Sequence, residues 1–488
     1  MHLISRWRTL LPASMALLCT MAGAGAASAQ QATALTGGTI IDGTGREPIR
    51  DGVIVIDGGR IAAVGPRTSV RVPAGARVID ATGKHIIPGL MDANVHLILG
   101  SAIEFIVRYE ERYEDLIEEA AQVSLKNGLT TVFDSWGPLQ PLLNVRDRIN
   151  RGETIGSRMF VAGNIVGFTG PFGHDFNGAA ETTATPALVR RINAIWEENT
   201  GPDLMYLTPE QLRVEIRKYI ARGIDFLKYG ATGHREEYFL MFSPAAQQVM
   251  IEESRHAHIP IQTHTTNVEG LRVVIEQGVD MLQHGDWTGP TPIPNATIRM
   301  MIDRNIYCAI QPFTNRRIEI ALEQAEGGPP SSRRKEKVRT VHVNDVNLIK
   351  AGVLLLLATD AGMVDPDRAA SMSARVLIDR PTALGEGHFN WFQAVAEKGM
   401  RPMDAILAAT RNVAAAYKKL DELGTLERGK LADLVVLDAD PLADLANIRR
   451  ISLVIKEGRI VDREALPSKR VLTAPRGADR PTAHLPLP

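Results

Sequence analysis

Six polar side chains stand where apolar runs stop. One run ends in Met91-Asp92-Ala93-Asn94-Val95-His96, and Phe226-Leu227 leads into Lys228. Ile261-Gln262-Thr263 leads into His264, Leu282-Gln283 into His284, and a leucine-rich run into Thr359-Asp360-Ala361-Gly362. Each has an ordinary explanation when taken singly. A histidine at a strand end hydrogen-bonds, a lysine reaches solvent along its stem, and an aspartate before Ala-Gly caps a helix. Three histidines, a lysine and an aspartate at successive run ends suggest more. Imidazole and carboxylate are what Zn²⁺ and similar divalent ions take, with one position left for water.

Such residues act together only if the chain brings them to one place. Strand-like runs at 86–96, 129–133, 159–162, 226–229, 259–263, 281–284, 307–311 and 354–359 alternate with helix-like segments. Thr208-Pro209-Glu210-Gln211 and Ser243-Pro244 read as capped helix starts, and Gly128, Gly223 and Gly278 as helix stops. Residues 353–358 are apolar without alternation, as in a parallel strand buried on both faces. Eight strands with intervening helices predict an α/β chain, a (β/α)8 TIM barrel, with a doubly wound open sheet as the alternative. In a barrel the strand C-termini share one mouth, and residues two apart, such as Asn94 and His96, face the same way.

Both ends of the chain are rich in β structure. Residues 53–61 read as a hairpin around Asp57-Gly58-Gly59, and a similar unit recurs at 434–437 and 453–461. The two ends are expected to form one small β-sandwich domain. The divisions are a leader at 1–29, β-sandwich parts at 32–85 and 419–466, the barrel at 86–418, and a tail at 467–488, loosely attached beyond about Val471.

The sequence resembles the amidohydrolase superfamily, especially its imidazolonepropionase- and prolidase-like members. The resemblance rests on Ile87-Pro88-Gly89-Leu90-Met91-Asp92 leading to His96, on Asp225-Phe226-Leu227-Lys228, and on His264, Gln283-His284-Gly285 and Thr359-Asp360-Ala361-Gly362. Gly429-Lys430-Leu431-Ala432-Asp433-Leu434-Val435 completes it. It implies a metal-dependent hydrolase cleaving C–N bonds. His96 and Asp360 would bind the more buried metal, His264 and His284 the second, and carboxylated Lys228 would bridge them. Asp360 would pass a proton from the attacking water to the departing amine. The superfamily's first strand ordinarily carries His-x-His. Here Asn94 replaces the first histidine, an Asn-x-His variant that resembles phenylurea hydrolases of the superfamily. A neutral amide is the weaker ligand, so one metal ion or two remain open.

Around this centre, the loop 168–176 is expected to border the mouth. His174 would polarise a carbonyl and Phe172 or Phe176 would line an apolar pocket, unless the loop simply packs on itself. Tyr229, His234, Trp287 and Trp391 are further wall candidates, with core packing the alternative for the aromatics. The substrate expected is a small, fairly hydrophobic amide, urea or carbamate. The rival is a dipeptidase or N-acyl amino acid hydrolase, with Arg235 as the nearest carboxylate-binding cation. A non-catalytic periplasmic binding protein is the alternative of another class.

Composition agrees with a globular enzyme, 44% hydrophobic and 23% charged, at a net charge of −1. Nothing in it suggests nucleic acid as a partner. Arg6 and Arg8, an apolar run and Ala27-Ser28-Ala29 predict an export signal cleaved after Ala29. The run is short for a membrane anchor, the alternative reading. A periplasmic or secreted protein follows, free of the membrane after cleavage, and the resemblance implies a homo-oligomer. Cys308 then stands alone in an apolar run, as a buried core thiol.

Overall fold

The computed structural model describes residues 31–98, 103–234, 237–326, 333–370, 373–377 and 379–474; the leader lies outside them. The chain opens with β1 (Thr33–Ile40), β2 (Ile49–Asp57), β3 (Arg60–Pro66), β4 (Arg77–Asp80) and β5 (His85–Pro88). It then runs through β6 (Leu90–Val95), β7 (Leu129–Asp134), β8 (Arg158–Val161), β9 (Leu227–Gly230) and β10 (Ile261–His264). Next come β11 (Met281–Gln283), β12 (Tyr307–Ile310) and β13 (Leu355–Leu357), and the chain returns through β14 (Leu434–Leu437), β15 (Ile451–Lys456) and β16 (Arg459–Ile460).

The terminal segments form one hydrogen-bonded sheet in the order β16-β15-β14-β5-β1-β2-β3, with β4 beside β1. Its two chain ends meet where β14 pairs antiparallel with β5. Leu35, Ile54, Ile56 and Ile61 share a core with Leu434, Val436 and Ile455. The first expected barrel strand is in fact two. Ile86–Pro88 belongs to the small sheet, and the central strand begins at Leu90. Gly89 makes the switch, because a Cβ there would stand 2.1 Å from Thr130 Oγ1.

The eight central strands are parallel and fall into two arcs, β6-β7-β8 and β13-β12-β11-β10-β9. Their ladders do not close into a continuous barrel. The seams carry isolated parallel bridges, Val95 to Ala361 and Val166 to Tyr229. Within the first arc the β6–β7 ladder shifts register between Leu90 and Met91 and again between Asp92 and Val95, so pairing is interrupted around Asn94. Side chains of both arcs nonetheless meet in one interior cluster that includes Met91, Ala93, Phe133, Phe226, Met281, Ala309 and Leu356. Tyr417 stacks on Phe133 at 3.6 Å and donates its hydroxyl to Ala93 O at 2.5 Å.

The helix signals hold. Thr208 forms a capping box with Gln211, Ser243 caps Pro244–His256, and Gly278 ends Val268–Gln277 in the left-handed conformation. The expectation of a loose tail fails for residues 471–474. Buried Glu119 accepts hydrogen bonds from the amides of Val471, Leu472 and Thr473 and from the Thr473 hydroxyl, tying that segment to the helix Tyr113–Lys126.

Candidate metal centre and cleft

The six predicted residues converge. Asp360 Oδ1 lies 2.7 Å from His96 Nε2 and 3.7 Å from His284 Nε2. It also accepts from the Asn94 side-chain amide at 2.9 Å. Lys228 Nζ is 3.1 Å from Ser135 Oγ and 3.5 Å from Asn94 Oδ1, and the Ser135 hydroxyl donates to the same Asn94 oxygen. The His264 and His284 rings stand edge to face at 5.3 Å. His284 and Asp360 both hold left-handed backbone, φ 54° each, a conformation that strains non-glycine residues and gathers at functional sites.

Burial sets the protonation states. It pushes His284 down to about 4 and His264 and His96 below the usual imidazole range, leaving three neutral rings at neutral pH. Burial alone would raise the Asp360 carboxyl, but His284, His96 and Lys228 hold it well below the carboxylate range. Lys228 is only 1% exposed, and burial pushes its amine down to about 8. Neutral imidazoles, an ionised carboxylate and an easily deprotonated amine are the forms a divalent cation requires of its ligands.

His264 Nε2, His96 Nδ1 and His284 Nδ1 are buried without a hydrogen-bond partner among the described residues, and unpaired imidazole nitrogens fit a cation. Among the described residues no group of three or more His, Cys, Asp or Glu side chains is arranged to hold a metal ion as it stands. The donor set fits by its chemistry and is gathered loosely around Asp360.

Neighbours unseen in the sequence hold it. The Asp92 carboxylate accepts from Thr359 N (3.1 Å), Thr359 Oγ1 (2.6 Å) and Asn94 N (3.1 Å), clasping β6 to the end of β13. Asp134 does the same for Leu97 N (2.8 Å) and Trp136 N (3.2 Å). Burial raises both carboxyls to about 7.

A cleft of about 450 Å³ opens above, lined by His264, His284 and Asp360 and by His234, Trp287, Gln311, Phe313, Arg317 and Arg380. His234 lies there as expected, its Nδ1 2.7 Å from Asp175 O. His174 does not line the cleft; it is exposed at the start of the helix His174–Thr183. Phe172 is buried in the core, and Phe176 stacks on Trp136 at 4.0 Å. Tyr229 is buried and donates to Gln247 Oε1 at 3.3 Å; it follows Lys228 on the strand and so faces the other side. Trp391 is likewise core, bonded to Ile310 O at 3.0 Å, and Cys308 is buried. Arg235 lies outside the described residues.

The sequence pattern of the amidohydrolase family matches residues 85–461. Imidazolonepropionase of Rhizobium rhizogenes is 23% identical over 82% of this chain and 90% of its own length. A solved structure of molinate hydrolase superposes with a TM-score of 0.87 at 42% identity, covering 92% of this chain and 98% of the other. That of phenylurea hydrolase B gives 0.86 at 39%, covering 91% and 100%.

Proposed function

The chain belongs to the amidohydrolase family and is a hydrolase acting on C–N bonds, and we propose that it cleaves an amide, urea or carbamate of a small, fairly hydrophobic substrate. The observation that carries this reading is the convergence of Lys228, His264, His284, His96 and Asp360 beneath a cleft walled by Trp287 and Phe313. Similarity to molinate hydrolase and phenylurea hydrolase B supports the substrate choice. The two strand arcs are read as a (β/α)8 barrel with these residues at its mouth.

The family is generally metal-dependent. A divalent cation, zinc by ligand type, would be held by His96, His264, His284, Asp360 and carboxylated Lys228, and would supply Lewis acidity to a water and the scissile carbonyl. The lowered amine pKa of Lys228 favours the neutral form that combines with CO2. Asp360 takes the proton of the attacking water and delivers it to the departing nitrogen. Asn94 donates to Asp360 Oδ1 and keeps that carboxylate turned inward. His234 Nδ1 donates to Asp175 O at 2.7 Å, which fixes the ring at the cleft wall.

Assay of the purified protein on phenylureas and anilides beside dipeptides tests the substrate class. Turnover of the ureas or anilides is expected, and hydrolysis of dipeptides alone would overturn it. Export with cleavage after Ala29 and a homo-oligomeric state are part of the same proposal. They are read by N-terminal sequencing, expected to begin at Gln30, and by light scattering.

A further inference from the structure

The apolar wall of the cleft hangs on a loop poor in backbone donors. Trp287 follows His284 on the stretch 286–294, between β11 and the helix Asn295–Asp303. Pro290, Pro292 and Pro294 lack a backbone N–H, so this stretch can build little bonding of its own. The Trp287 ring is half-buried and meets Phe313 edge to face at 5.9 Å. Its Nε1 has no hydrogen-bond partner among the described residues. The ring therefore goes where its backbone is held.

Asn344 does the holding. It is fully buried on the helix Arg334–Ala351, in the row of Val341 and Leu348, three residues after one and four before the other. Its Nδ2 donates to Asp286 O and to Thr288 Oγ1, each at 2.8 Å. Both amide hydrogens thus go to the two chain neighbours of Trp287. Its Oδ1 accepts from Ile293 N at 2.9 Å. Burying an amide is unfavourable unless its bonds are made, and asparagine is a weak helix former. All three bonds leave the helix, so what they stabilise is the loop. The next residue serves the facing ring. Asp345 Oδ2 stands 3.8 Å from Lys398 Nζ, both side chains fully buried, and Lys398 donates to Phe313 O.

We propose that Asn344 is a positioning residue, which fixes the Trp287 ring against Phe313 and thereby sets how well the cleft takes a ring-bearing substrate. It stands behind the cleft lining and touches no reacting atom. The kinetic consequence rests on the urea or anilide reading; the placement of the ring does not. Without Asn344 the loop loses its three ties to the helix, and the ring no longer keeps one position. Binding of an aromatic substrate then weakens in ground state and transition state alike, while the centre at Asp360 keeps its geometry. KM rises and kcat holds.

Fluorine NMR of the full-length protein labelled with 5-fluorotryptophan reads the ring without turnover, the Trp287 line being the one that Trp287→Leu removes. Asn344→Ala is expected to shift or broaden that line and to leave those of Trp136, Trp196 and Trp391 in place. Thr288→Val removes one of the two acceptors and spares the helix. It should move the same line less, and it decides the matter if Asn344→Ala does not fold. With a phenylurea as substrate, Asn344→Ala should raise KM about tenfold and change kcat by less than about threefold. In the Trp287→Leu background the same substitution should change KM by less than about twofold. An unmoved Trp287 line in the folded variants, or a shift of all the lines together, would overturn the assignment. So would a fall in kcat matching the rise in KM, or an undiminished effect in the absence of Trp287. A protein that turns over no urea or anilide would refute the substrate reading, and the Trp287 line would still decide the role of Asn344.

Discussion

The two strand arcs carry similar polar residues at their ends and use them differently. On the β6–β8 arc, Asp92 and Asp134 are spent on backbone amides and neighbouring side chains, and burial raises both carboxyls to about 7. On the β9–β13 arc, Lys228, His264, His284 and Asp360 face one another, and imidazole nitrogens of His264 and His284 have no hydrogen-bond partner among the described residues. Asp360 is held low while Asp92, clasped to the residue beside it, is pushed up. Burial is common to both; the neighbours decide which carboxylate is a strap and which can move a proton.

Substitutions can break that contrast. Asp360→Ala should lower kcat by about a thousandfold, the scale of a lost general acid–base group, with little change in melting temperature. Asp92→Ala should act the other way round. It strands Thr359 and Asn94 donors and should cost about 3 kcal/mol in urea unfolding. If Asp92→Ala abolished turnover in a fully stable protein, the strap and the acid–base group would have been confused.

Acid titration sharpens the comparison outside the site. His388 is buried, bonds Asn127 O at 3.0 Å and is pushed down to about 3. The unfolded chain protonates this ring from about pH 6.5, so between pH 6.5 and 3 the unfolded state holds the extra proton. Stability attributable to His388 is therefore present above pH 6.5 and falls as pH drops, by about 1.4 kcal/mol per unit. His388→Asn should flatten that limb in urea titrations. Ser135→Ala should have the smallest effect, about 1 kcal/mol and less than about tenfold in kcat, because Lys228 keeps Asn94 within reach.

Much of the centre was legible because a parallel strand announces its end: an apolar run, then Lys228, His264, His284 or Asp360. The expected alternation also rules out Tyr229 as a wall, since it follows Lys228 on one strand. Ser135 sits in Asp134-Ser135-Trp136 after an apolar run, the same signal on a strand whose end residues went unweighed. Arg317 and Arg380 lie on a helix and a loop, where no periodicity aims a side chain at the mouth. His174 misled because a Gly-rich loop shows no orientation in sequence, and the chain turns it outward at a helix start. The split of β5 from β6 at Gly89 was hidden because both strands are apolar and only a single glycine separates them.

The most direct test is the metal content of the purified protein beside that of His264→Ala/His284→Ala, with native mass spectrometry for one CO2 on Lys228. One or two divalent ions per chain are expected, falling in the variant, with the CO2 increment absent from Lys228→Met. A fully active protein without metal, or a variant that keeps its ions, would contradict the account.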